Sequence, residues 1–231
     1  MKNKSIDTLS NIADNMAERY VNDPYIRFLA QAIPGLGSAV DSALVAQINK
    51  MREKRIYVFF DELSKRKISL SEEDKKKDGF LHSYFCTVKY VLNTRREEKI
   101  KLFAKLFNNY VEKKHFDVNK SDEYEEMLNI LDDMSYKEFQ VLIILSDFEK
   151  ENPKDNTKSD LEMADKFWDN FIDKVYRELE IPKKEIPGVL TRLNRTGLYR
   201  TITGAYLDYS GDKGNLTPNF YKFIDSIGTN K

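Results

Sequence analysis

The chain has 231 residues, 41% hydrophobic and 33% charged, with Lys+Arg and Asp+Glu both at 38 and hence no formal net charge. That composition suits a folded chain with solvated helix faces, long enough for one large helical domain or two smaller ones. It excludes a disordered polyelectrolyte and a strongly basic protein built to coat nucleic acid, though not a local basic patch.

Residues 5–32 read as helix, with Ile6, Leu9, Ile12, Ala13 and Met16 on one face and Asp23-Pro24 as an interruption. Pro34-Gly35-Leu36-Gly37 is a turn. A second helix starts at Gly37 or Ser38, carries Val40, Ala43, Leu44, Gln47 and Ile48, and runs on through Met51, Ile56, Phe59, Phe60 and Leu63. Small residues at Gly37, Ala39, Ser42, Ala43 and Ala46 let another backbone approach, so a tight helical hairpin is expected. The low-charge stretch 28–47, about 20 residues, has the length of a membrane span. Pro34, Gly35 and Gly37 break it, and Asp41 would be costly in lipid, so a buried hairpin is the favoured reading. The alternative is a membrane-active hairpin, with Ile33, Leu36, Val40 and Leu44 as its partner or membrane contacts.

Residues 71–78 form a charged connector. Leu81, Tyr84, Phe85, Val88, Val91 and Leu92 then follow the spacing of an amphipathic helix. Thr94-Arg95-Arg96-Glu97 has the form of a capping box, opening a helix that carries Ile100, Phe103, Leu106, Phe107, Tyr110 and Val111. After a loop at 115–120, Asp122 and Glu125 read as another cap, and Ser135 with Glu138 as a cleaner one before a nearly all-apolar helix. A polar linker, 151–160, leads to Ser159 and Glu162, capping a helix with Leu161, Ala164, Phe167 or Trp168, Phe171, Val175 and Leu179 inward.

In residues 181–227 the pattern changes. A short helix begins near Pro187, buries Val189, Leu190 and Leu193, and ends at Gly197. Residues 198–203 and 206–209 read as two short strands, with turns at Gly204 and 210–214. Thr217-Pro218 opens a final helix burying Phe220, Phe223, Ile224 and Ile227.

The run 189–198 (VLTRLNRTGL), the glycine-containing wing and 216–224 (LTPNFYKFI) resemble the winged-helix family over roughly 134–227. That resemblance implies a recognition helix at 187–196, used on DNA in many members and for docking or dimerisation in others. Nucleic-acid contacts would come from Lys183, Lys184, Thr191, Arg192, Arg195 and Lys213. Glu185, Asp208 and Asp212 offset this modest basic footprint, and the 151–160 linker falls inside the module. The front of the chain (33–44, 52–55 and 94–106) resembles bacterial helical proteins of the abortive-infection alpha type, some associated with phage defence. That similarity implies bacterial origin and supplies no catalytic residue.

Residues for catalysis do not assemble in the sequence. Gly35-Leu36-Gly37 lacks the lysine and preceding strand of a phosphate loop. His82 and His115 read as separate decorations, not grouped with Cys86, so neither a metal nor any other cofactor is expected. Glu125-Glu126 and Asp132-Asp133 read as solvated pairs, and Arg95-Arg96 as a helix junction beside Glu97-Glu98. One cysteine excludes an intramolecular disulfide, and the lysines near the N-terminus precede no apolar signal-like run, so the expected compartment is the cytoplasm.

The expected fold is mainly α: a helical bundle over 1–133 and a winged-helix-like domain with a small β-hairpin wing over 134–231. The expected function is non-enzymatic, acting through a protein partner or a second copy of the chain, in a phage-defence setting. A DNA-binding regulator and a membrane-active effector stay open as alternatives.

Overall fold

The computed structural model describes residues 23–31, 42–114, 116–203, 211 and 213–228. The chain is mainly helical, with a small two-strand antiparallel hairpin near its C-terminal end. It divides into two units, 1–129 with 226–231 and 130–225, the boundaries falling inside two helices. Among the described residues, no helix is long and apolar enough to cross a membrane.

Among the described residues the first unit begins with α1 (Pro24–Gln31), whose first turn is closed by Asp23 Oδ1 accepting the Tyr25 and Ile26 N–H groups at 3.1 Å. Next come α2 (Ser42–Leu63), α3 (Asp78–Asn93), α4 (Glu97–Lys113) and α5 (Val118–Asp133). Helix α2 lies along α4, and α3 packs against both. The core is aromatic. Phe107, fully buried, meets the rings of Phe59, Phe80, Tyr84 and Tyr124 at centroid distances of 6.4, 6.0, 5.8 and 6.3 Å. Asn108 Nδ2 donates to the Leu63 carbonyl at 3.1 Å, satisfying the last turn of α2 from the side of α4. Ile48 and Met51, expected on the apolar side of α2, are exposed.

Two expected caps are corrected. Thr94 and Glu97 form no capping box: the Thr94 hydroxyl donates back to the Tyr90 carbonyl at 2.9 Å and closes α3, and Arg96 stands at the cap position of α4, its side chain turned to Glu98 at 3.4 Å rather than capping the helix. Asp122 and Glu125 lie inside α5, because Asp117 reaches the first turn earlier, its Oδ1 accepting the Lys120 N–H at 3.1 Å.

In the second unit, α6 (Tyr136–Glu151) and α7 (Asp160–Asp165) start with complete capping boxes, Ser135 with Glu138 and Ser159 with Glu162. The chain breaks at Lys166-Phe167 before α8 (Trp168–Leu179), and the break lets both Phe167 and Trp168 be buried. Phe148 of α6 stacks on Phe167 at 5.8 Å and meets Phe171 edge-on at 6.2 Å. A 3-10 turn (Lys183–Glu185) leads into α9 (Ile186–Asn194), which carries its proline in the first turn and buries Ile186, Val189, Leu190 and Leu193.

The hairpin differs from the expected one. Strand β1 (Tyr199–Thr201) pairs antiparallel with β2 (Gly214–Leu216), in the register Tyr199 with Leu216 and Thr201 with Gly214. The second strand thus begins at Gly214, the last residue of the expected 210–214 turn, and runs to Leu216, while 206–209 lies outside the described residues. Gly214 is needed there. A Cβ on it would run into the Tyr199 ring and lie 2.5 Å from the Arg200 carbonyl oxygen. Helix α10 (Pro218–Ile227) closes the chain as expected, with Thr217 before it and Phe220, Phe223, Ile224 and Ile227 buried.

Candidate functional site

The residues proposed from sequence to meet nucleic acid fall on the 3-10 turn, α9 and the hairpin, and most of their charge is already engaged. Lys183 pairs with Asp173, and Lys213 with Asp165. Arg192 Nε donates to Glu138 Oε1 at 2.7 Å. Thr191 is exposed but turns its hydroxyl onto the Pro187 carbonyl at 2.9 Å. Lys184 and Arg195 are exposed. Three of the five basic side chains therefore face a carboxylate of their own unit. Of the residues proposed for a partner or membrane contact, Ile33, Leu36 and Val40 lie outside the described residues; Leu44 falls in α2, its side chain undescribed.

A concavity of about 620 Å³ lies in the second unit, beside β2. The end of α6 supplies Glu149, α7 supplies Asp160 and Met163, the following turn Phe167, the hairpin Arg200 and Leu216, and α10 Tyr221. Its volume is in the range of ordinary ligand pockets. Apolar walls come from Met163, Ala164, Phe167, Leu216 and Pro218.

Its polar groups form two clusters. Glu149 reaches the free edge of β2: one oxygen accepts the Leu216 N–H at 2.8 Å and the other accepts the Tyr221 hydroxyl at 3.0 Å. In an antiparallel pair alternate residues direct their backbone groups away from the partner strand. Thr217 N–H bonds to the Leu198 carbonyl on β1's side, leaving Leu216 N–H to point outward to the carboxylate. Burial pushes the Glu149 carboxyl up from its ordinary value, with the Leu216 and Tyr221 bonds opposing. Burial and Glu149 together push the Tyr221 hydroxyl up to about 12. The second cluster centres on Asp160, which accepts from Arg200 at 3.2 Å and pairs with Lys154 at 3.3 Å. Arg200 also reaches Asn215 at 3.4 Å.

The sequence marks none of the polar groove residues Glu149, Asp160, Arg200 and Tyr221 as functional, and Ala164, Phe167 and Pro218 only as parts of helices. Glu149 and Leu216 are 67 positions apart, and no local pattern joins them. The available signal was weak: a glutamate at the end of a nearly all-apolar helix, whose burial would demand a partner.

No family model, curated protein or solved structure matches the chain. The functional reading therefore rests on the geometry of the site and on the resemblances read from the sequence.

Proposed function

We propose that the protein is a non-enzymatic bacterial binding protein, acting in the cytoplasm, whose second unit docks a partner protein through the groove beside β2. The phage-defence setting comes from the resemblance of its N-terminal part, and the winged-helix reading of 134–231 becomes one of docking rather than DNA reading. The observation that carries this is the internal engagement of the basic side chains. Lys183, Arg192 and Lys213 each face a carboxylate, so phosphate would have to compete for the cations a DNA reader needs.

The groove, by contrast, combines apolar walls with hydrogen-bonded polar groups at its rim, the composition of a site that takes an anchoring side chain. Its carboxylates are satisfied by Leu216, Tyr221, Lys154 and Arg200. Such an arrangement holds shape and does not leave an acid or base poised over a reacting atom.

The test is to pan the full chain against a displayed peptide library and titrate the selected peptides. Arg200→Asp and Tyr221→Ala, both on exposed residues, should each weaken binding by at least roughly tenfold. Duplex DNA should not be retained at moderate salt. Peptides that bind both variants as they bind wild type would sink the proposal. So would duplex retention that disappears with Arg192→Ala and Arg195→Ala.

A further inference from the structure

The first unit brings together three side chains that the sequence reading kept apart. His82 and Cys86 stand one turn apart on α3, on one face of the helix. Glu125 reaches them from α5. His82 Nε2 lies 3.3 Å from Glu125 Oε2 and 3.5 Å from Cys86 Sγ, and the three donor atoms all fall within 4.8 Å of one another. One imidazole nitrogen thus faces two partners, and a single N–H can serve only one of them.

We infer that His82, Cys86 and Glu125 form a binding site for one thiophilic divalent cation of the zinc type. A tetrahedral ion with bonds of roughly 2.0–2.3 Å would hold its nitrogen and oxygen ligands about 3.4 Å apart, and its nitrogen and sulfur ligands about 3.6 Å apart. The distances found, 3.3 and 3.5 Å, are close to both edges. The sulfur–oxygen edge, within 4.8 Å, can adjust by rotation of a half-exposed glutamate.

The donor set selects the ion. Thiolate, imidazole and a single carboxylate suit Zn²⁺ or Co²⁺, whereas Mg²⁺ and Ca²⁺ ask for a shell of oxygens. Three protein ligands with an exposed His82 leave the fourth position to water. On binding, the Cys86 thiol gives up its proton to solvent as the sulfur–metal bond forms; no electron is transferred. The ion would join α3 to α5 where other polar contacts already cross: Thr87 Oγ1 meets the Tyr124 hydroxyl at 2.6 Å, and the Tyr90 hydroxyl donates to Asn129 Oδ1. Its role is then that of a clip between two helices, independent of the groove.

The experiment uses the full chain, without an affinity tag, reduced and stripped with a chelator. Titration with Co²⁺ should give one equivalent of tetrahedral visible absorption and a thiolate-to-cobalt charge-transfer band, both abolished by added Zn²⁺. Cys86→Ser should remove the charge-transfer band. His82→Gln and Glu125→Gln should each weaken binding by more than roughly tenfold, the loss that removing even an outer-shell partner brings. Zn²⁺ should raise the melting temperature of wild type and leave that of Cys86→Ser unchanged. Absence of the charge-transfer band in the wild type would overturn the inference, as would Co²⁺ binding indifferent to Cys86→Ser.

Discussion

Arg192 on α9 donates to one oxygen of Glu138 at 2.7 Å, while the other oxygen of the same carboxylate accepts the Ser135 N–H at 2.8 Å. One glutamate therefore completes the start of α6 and holds α9 against it. The Glu138 side chain is 9% exposed and that of Arg192 is 55% exposed, so solvent weakens the pair without abolishing it. A double-mutant cycle with Arg192→Ala and Glu138→Gln should return a coupling of about 0.5–1 kcal/mol in urea denaturation. Ser135→Ala, which removes the hydroxyl that caps the Glu138 N–H, should cost about 1 kcal/mol. A coupling near zero would mean that Arg192 is available to a ligand after all.

Two glutamates of the second unit should respond to pH in opposite senses. Burial pushes Glu138 up, but the Arg192 guanidinium and the Ser135 N–H and hydroxyl outweigh it and leave the carboxyl below its ordinary value. Its stabilising contribution is present above the ordinary carboxylate range and is lost as pH falls through the lowered value. Glu149 is raised, by burial first, so its contribution is complete below the ordinary range and is lost as pH rises through the raised value. Urea midpoints followed from acid to neutral pH should show Glu138→Gln growing worse relative to wild type and Glu149→Gln growing better. Parallel curves would contradict both assignments.

Phe107 is the hub of the first unit, touching rings from α2, α3 and α5. Phe107→Ala should cost about 3–5 kcal/mol, the range for a buried aromatic whose cavity cannot collapse. Tyr90 stacks on Phe103 at 5.9 Å nearer the surface, and Tyr90→Ala should cost less. Chemical denaturation of the two variants checks the order.

Two glycines of the second unit should behave oppositely. Gly214→Ala puts a methyl group against Tyr199 and the Arg200 carbonyl and should destabilise by roughly 2 kcal/mol or more. Gly188 lies in α9 with nothing within 4 Å of where a Cβ would sit, so Gly188→Ala should stabilise by about 0.5–1 kcal/mol. Thermal melts of the two variants distinguish a close backbone approach from a merely flexible residue.

Local signals in the sequence were read well where their partners are also local. Ser135 with Glu138 and Ser159 with Glu162 cap their helices as their three-residue spacing suggests. The same spacing misled at Thr94, because a hydroxyl at the end of one helix can bond back to Tyr90 as readily as forward to Glu97. Strand β2 was hidden by Gly214, a residue depleted in strands, whose place depends on the packing of Tyr199 from β1. Glu149 gave little signal because its partners lie 67 and 72 positions away. The sequence reading sets His82 apart from Cys86, although four residues on a helix are one turn; Glu125, 43 positions from His82, carries no local signal at all.

The carboxylate at the edge of β2 bears on how the protein keeps to itself. A two-stranded sheet has bare edges, and bare edges invite strands from other molecules to pair. Glu149 already accepts the outward Leu216 N–H, and it presents an oxygen where an incoming strand would need to bring its own carbonyl. A crowded cell is full of stray extended segments. At Leu216 this edge is capped by one half-buried glutamate rather than by a lysine or a proline, and the same side chain shapes the groove.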